Sequence, residues 1–323
     1  MEIAPTTFRS LPALRLTAGG AEATILRHGA QLVGWRPAPQ AGVDANGTGT
    51  GTGTGTGIGA GTGPGIGPGP ATGPGAGDER LYLSPLARFD GREAIRGGVP
   101  VIFPQFDRTG PDRQLPRHGF ARTATWAAAR GDGPVDAAVL TLDRGSRADG
   151  SEWPYRFRLE LGVRLSARSL EIRLSVHNDG ALPFAFSTAL HSYFAVRAID
   201  AVVLEGLGRG RWTDRVGGAD PGPHDAPPDP YVFDREIDRI HHRTEDSGTP
   251  LRLLGGPSPL AIDQQGFDET VVWNPWHDRS RAIDDLPDDG FRHFVCVEAA
   301  RITNPVTLAE GESWHGRQRL EAH

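Results

Sequence analysis

From Arg158 to Leu165 apolar side chains occupy alternate positions, Leu159, Leu161, Val163 and Leu165, with Arg158, Glu160 and Arg164 among the residues between them. The alternation resumes at Leu170, Ile172, Leu174 and Val176 after a Ser166-Ala167-Arg168-Ser169 break. Successive side chains of a strand point to opposite faces, so this period of two describes a hairpin with one apolar face. Such a face needs a second sheet over it. Shorter strands are expected at Ala23 to Leu26, Gln31 to Trp35, Leu81 to Leu83, Ala138 to Leu142, Phe184 to Phe194, Ala201 to Leu204, Thr270 to Trp273, Phe294 to Glu298 and Gly316 to Leu320. No stretch sustains a helical period. The expected fold is all-β, a large antiparallel sandwich, and residues 1–323 are read as one domain because β-sandwiches of this size commonly form a single unit.

One segment stands apart. Residues 41–77, and above all Ala45 to Gly77, are built almost wholly of Gly, Thr, Pro and Ala. With no apolar face to offset the entropy of ordering, this tract is expected to be a disordered loop inserted before the strand at Leu81. Its repeat is compositional and does not mark a solenoid.

The formal net charge of −6 argues against a nucleic-acid partner, which requires clustered positive charge. All 34 basic residues are Arg. The absence of Lys excludes Schiff-base catalysis and a Walker-type phosphate loop, so an anion site must use Arg or backbone amides. The single cysteine, Cys296, has no internal disulfide partner. With no apolar run of about 18 residues and no leader-like start, a cytoplasmic location without membrane contact is expected.

Three stretches carry candidate chemistry. In Phe89 to Phe106, Arg96 precedes Gly97-Gly98; a backbone without Cβ atoms passes close to a ligand while the guanidinium offers a planar fork of donors, or the segment is a tight turn with a solvated Arg. Arg122 closes His118-Gly119-Phe120-Ala121-Arg122, and the two Arg either converge on a phosphate or stay in water. In Pro183 to Phe194, a strand places Ala185, Ser187, Ala189 and His191 on one face, so His191 either looks into ligand volume or is a hydrogen-bonded sheet histidine. In Phe294 to Ala300, Glu298 sits inside an apolar strand. A buried carboxylate needs either a partner Arg or a function, and desolvation raises it from about 4.3 toward neutrality, where it suits proton abstraction. The remaining histidines show no metal spacing, and Cys296 reads as inert packing.

These residues lie in runs that, in order along the chain, resemble the glucose-6-phosphate 1-epimerase branch of the aldose 1-epimerases. The runs are Ala94-Ile95-Arg96-Gly97-Gly98-Val99-Pro100, Phe103-Pro104-Gln105-Phe106, His118 to Arg122, Leu190-His191-Ser192-Tyr193-Phe194, Glu236 to Ile240, Val271 to Trp276, Val295 to Ala300 and Leu308 to Trp314. The resemblance spans nearly all of the chain outside the Gly-rich tract and the Pro-rich stretch around Pro221 to Pro230. Two positions depart from it: Ser192 stands where Thr is commoner, and His241 where Tyr is usual.

The resemblance implies a galactose-mutarotase-like supersandwich of antiparallel sheets with the sugar across one concave sheet. It implies His191 as general acid, Glu298 as general base, Asp238 as a ligand of sugar hydroxyls, Arg96, Arg122 and His118 as substrate and phosphate contacts, and Gln105 as a further substrate contact. The expected activity is interconversion of the α and β anomers of a hexose 6-phosphate by a monomer using no metal and no cofactor. The alternatives are a mutarotase for unphosphorylated aldohexoses and a non-catalytic carbohydrate-binding sandwich.

Overall fold

The computed structural model describes residues 1–39, 78–110, 115–128, 137–143, 153–207, 210–217, 230–243 and 250–323. The Gly/Thr-rich tract at 41–77 lies outside the described residues.

The long hairpin forms as the alternation dictates. Phe157–Leu165 pairs with Ser169–Asn178 in a register that sets Leu161 opposite Leu174 and Leu165 opposite Leu170. Leu159, Leu161, Val163, Ile172, Leu174 and Val176 are buried, and the amide of Ser166 donates to the carbonyl of Ser169 at 2.8 Å to close the turn. This hairpin lies inside a nine-stranded antiparallel sheet, next to Ala138–Asp143 on one side and Ser313–Ala322 on the other.

A seven-stranded sheet runs in the order Trp212–Asp214, Ile237–His242, Glu269–Asn274, Phe294–Leu308, Phe184–Leu190, Val101–Ile102, with Tyr193–Ala195 also paired to Phe294–Leu308. A four-stranded meander of Glu2–Phe8, Leu11–Ala18, Ala21–Leu26 and Leu32–Arg36 completes the set. One buried cluster draws on all three sheets, among them Leu16 and Trp35, Leu161 and Leu174, and Phe186, Val297 and Ala299. The only described α-helix is Trp276–Arg281, of six residues, and no described helix is long and apolar enough to cross a membrane.

The strand Phe294–Leu308 shows how this packing builds a site. Val295, Val297 and Ala299 enter the common core, while Cys296 and Ala300 belong to separate clusters on the other face. Glu298 shares that second face by alternation. Burial of an aliphatic side chain stabilises by about 1.5–3 kcal/mol, so the core face fixes the register that aims Glu298 away from it.

Two strand expectations change. Phe184 to Phe194 is broken in two: the His191 amide donates to Pro100 O at 3.0 Å and the Ser192 amide to Leu190 O at 2.9 Å, a tight turn that sets His191 out before Tyr193 resumes pairing. Leu81 to Leu83 forms only isolated bridges, Leu81 with Phe194 and Leu83 with Gly97.

Candidate active site

His191 and Glu298 meet across neighbouring strands of the seven-stranded sheet. Leu190 is the partner of Ala299, which brings His191 Nδ1 to 3.2 Å from Glu298 Oε1. The two atoms are close but not aligned as a hydrogen bond, and both His191 Nδ1 and Glu298 Oε2 are buried without a hydrogen-bond partner. Glu269, equally buried in the next strand, is a useful contrast. Its carboxylate accepts the amides of Ile302 and Thr303 and the Thr303 hydroxyl, so it is structurally satisfied. An unsatisfied buried polar group costs on the order of 1–3 kcal/mol or more, a cost that Glu298 carries at Oε2 and Glu269 does not.

The imidazole of His191 is fixed by rings. Tyr193 stacks on it with centroids 4.9 Å apart and planes 9° from parallel, and Trp273 meets it edge-on at 6.0 Å and 82°. His118 approaches at 5.8 Å and 77°. The Asp107 amide donates to His118 Nδ1 at 3.2 Å, which places the remaining ring proton of neutral His118 on Nε2.

Arg96 donates through Nε to Asp285 Oδ1 at 3.0 Å and through Nη1 to the Tyr193 hydroxyl at 3.1 Å. Gln31 holds its backbone from both sides, donating to Ile95 O at 3.0 Å and Gly97 O at 2.6 Å. The paired glycines do make a close approach, but to the protein's own chain. A Cβ on Gly97 would lie 2.4 Å from Tyr82 O, one on Gly98 2.1 Å from Leu32 O, and both residues have positive φ. Arg122 donates to Arg117 O at 2.8 Å, and its Nε is buried without a partner. Burial, with a contribution from the charge of Arg96, pushes Arg122 down to about 10.

Asp238 lies 3.9 Å from Arg215 Nε, and Arg215 also bridges to Asp107. His241 is on the opposite face of the same strand, stacked on Trp212 at 6.2 Å, so the departure at that position leaves the Asp238 side untouched. Gln105 is fully buried and donates to Leu115 O at 3.1 Å and Pro116 O at 3.2 Å, holding the loop that carries His118. The small-residue face beside His191 is only partly open. Ser187 Oγ accepts the Phe106 amide at 2.8 Å, and Phe106 packs with Ala189, Ile240, Val271 and Ala300.

The electrostatics differ from a protonated His facing an ionised Glu. Burial and then the charge of Asp238 raise Glu298 well above the usual carboxyl range. Burial, followed by the charges of Arg96 and Arg122, lowers His191 well below 6.5. Both shifts favour the uncharged forms, a protonated carboxyl at Glu298 beside a neutral imidazole at His191. Moving that proton across 3.2 Å generates the acid and base that resemblance implies, with no change in total charge.

Residues 73–321 match the aldose 1-epimerase family. The chain belongs to that family. A protein of Cenchrus ciliaris provisionally named glucose-6-phosphate 1-epimerase is 32% identical over 266 residues, covering 76% of this chain and 76% of its own length. A protein of Escherichia coli with the same provisional name is 34% identical over 249 residues, covering 76% of this chain and 81% of its own length. The crystal structure of YeaD from Salmonella typhimurium, described provisionally as a mutarotase, superimposes with a TM-score of 0.74 at 25% identity, covering 99% of this chain and 94% of the other. The galactose-mutarotase-like fold expected for this epimerase is thereby established.

In this epimerase the structure brings together His191, Glu298, His118, Arg96 and Arg122 around one ring cluster, with Asp238 paired to Trp273, two strands from Glu298 in the same sheet. Sequence reasoning gave no role to Tyr193, Trp273, Asp285 or Arg215. Tyr193 had a signal, since it stands two residues after His191 in the same run. Asp285 had none, because it reaches Arg96 from a turn distant in sequence.

Proposed function

We propose that this epimerase interconverts the α and β anomers of a hexose 6-phosphate, glucose 6-phosphate being the first substrate to test. The observation that carries the reading is the unpartnered His191–Glu298 pair, 3.2 Å apart, in the electrostatic field of Arg96 and Arg122. The provisional names of the relatives point to the same phosphorylated sugar.

The reaction needs one proton moved in each direction. The Glu298 carboxylate, formed when its proton passes to His191, takes the proton from the anomeric O1 hydroxyl. His191 gives its proton to the ring oxygen as the bond from C1 to that oxygen breaks, leaving an open-chain aldehyde. Rotation about C1–C2 and the reverse transfers close the ring as the other anomer. Each positioned transfer contributes about 10²–10⁴ in rate. His118 offers an N–H from Nε2, Asp238 accepts from sugar hydroxyls, and the two guanidiniums hold the phosphate.

The test is anomer equilibration followed by polarimetry or by NMR exchange, starting from pure α-glucose 6-phosphate and, separately, α-glucose. Faster exchange of the phosphate is expected. Equal acceleration of both sugars favours a mutarotase for free aldohexoses, and binding without acceleration favours a carbohydrate-binding sandwich.

A further inference from the structure

The chain's only cysteine is beside the pair. One ligand atom each from His191, Cys296 and Glu298 lie within 4.8 Å of one another. We infer that these three side chains form a binding site for a thiophilic divalent cation of the zinc class, and that its occupancy blocks the His191–Glu298 pair. Sequence spacing hid this set, because His191 follows one strand while Cys296 and Glu298 come from another far along the chain.

Geometry and unmet bonding support the inference. In a tetrahedral zinc site with bonds of about 2.0–2.3 Å the ligand atoms stand roughly 3.3–3.6 Å apart. His191 Nδ1 and Glu298 Oε1, at 3.2 Å, already span such an edge, and the sulfur has at most about 1.5 Å to close. His191 Nδ1 and Glu298 Oε2 are buried and make no hydrogen bond, so a cation gives two unsatisfied ligand atoms a partner while displacing the proton of the pair. A thiolate, a carboxylate and a neutral imidazole balance the two positive charges, and a neutral assembly is what a buried site tolerates. Asp238 adds negative potential here, and the opposing charge of Arg96 is paired with Asp285. The set has the three-ligand composition of an open zinc site, leaving a fourth corner for water. Glu298 and Cys296 release their protons on binding, so affinity rises with pH.

The test uses the untagged full chain, stripped with chelator and titrated first with Co²⁺ and then with Zn²⁺. Stoichiometric cobalt binding with a thiolate-to-metal charge-transfer band in the near ultraviolet is expected, and zinc should abolish the band. Because Cys296 is the only thiol, no other site produces that signal. Cys296→Ala and Cys296→Ser should lack the band and bind zinc weaker by roughly tenfold or more. A wild-type chain without the band at saturating cobalt, or folded variants with unchanged zinc affinity, overturns the site. Zinc should also slow anomer exchange in competition with sugar, reversibly by chelator. This arm rests on the proposed reaction, and metal-free protein without exchange activity fails that reading while the cobalt spectrum still decides the site. Exchange unaffected by bound zinc overturns the blocking role.

Discussion

Tyr193 lies flat on the imidazole of His191, 4.9 Å away and 9° from parallel, while its hydroxyl accepts a hydrogen bond from Arg96 at 3.1 Å. One side chain thus links the guanidinium expected to hold phosphate to the ring expected to move a proton. Through Asp285, which takes the other edge of Arg96, the link extends to the turn after the short helix.

Tyr193→Phe keeps the stack and removes the link. A hydrogen bond to a charged group is worth about 1.5–3 kcal/mol, so KM for glucose 6-phosphate should rise about 10–100-fold with a smaller change in kcat. Tyr193→Ala, which also frees the His191 ring, should lower kcat as well. Steady-state kinetics of the two variants separate these roles. If Tyr193→Phe lowers kcat alone, the hydroxyl serves proton transfer and not the placement of Arg96.

Arg96→Ala and Arg122→Ala address phosphate recognition. The phosphate contact is lost only with the phosphorylated sugar, so kcat/KM for glucose 6-phosphate should fall by about 10-fold or more, and that for glucose by much less, where only the effect of each charge on His191 is lost. Equal losses on both sugars would remove phosphate from the assignment. Arg122 is the cleaner probe, because its buried Nε makes no hydrogen bond within the protein, whereas Arg96 also braces Tyr193 and Asp285.

The fold was readable where alternation was strong. The Arg158 to Val176 hairpin, the Ala138 strand and the Phe294 strand all form where the pattern of apolar residues places them. Strands with weaker alternation, such as Leu260–Gln265 and Ile237–His242, were not anticipated, because their partners across the sheet supply the burial that their own sequence does not announce. The site was readable only in part for the same reason. Glu298 stands out as a charge in an apolar run and His191 as a polar residue among small ones, but the protonation of the pair depends on burial and on Arg96, Arg122 and Asp238, which only the folded sheet assembles.

Glu298→Gln preserves shape and removes the base, and His191→Asn removes the acid. Each should slow anomer exchange by roughly 10² or more in a folded protein. The double variant should lose less than the product of the two, since both residues serve one proton exchange. The wild-type profile should be bell-shaped, with the acidic limb marking addition of a second proton to the pair, at His191, and the basic limb loss of the last one, from Glu298. Wild-type exchange rates in folded Glu298→Gln would end the proposed mechanism and leave a binding module.

The same carboxyl should leave a mark on stability. In the folded chain Glu298 is raised well above its ordinary value of 4.5, first by burial and then by Asp238, so it keeps a proton that the unfolded chain has released. Between 4.5 and the raised value the folded state binds more protons, and stability therefore falls as pH rises through that window. His191 acts in the opposite sense. Lowered by burial and by Arg96 and Arg122, it destabilises the folded state only as pH falls below 6.5, where the unfolded chain takes up the proton. Glu298→Gln removes the first effect, because an amide needs no proton to remain neutral when buried. Urea melts of wild type and Glu298→Gln at about pH 5, pH 6.5 and pH 8, spanning the ordinary carboxyl and imidazole ranges, isolate it as a difference. The variant should gain on the wild type as pH rises above the ordinary carboxyl range, until the raised value of Glu298 is passed. A difference that stays constant over the series would mean that Glu298 is ionised in the folded chain, and the neutral resting pair would have to be given up.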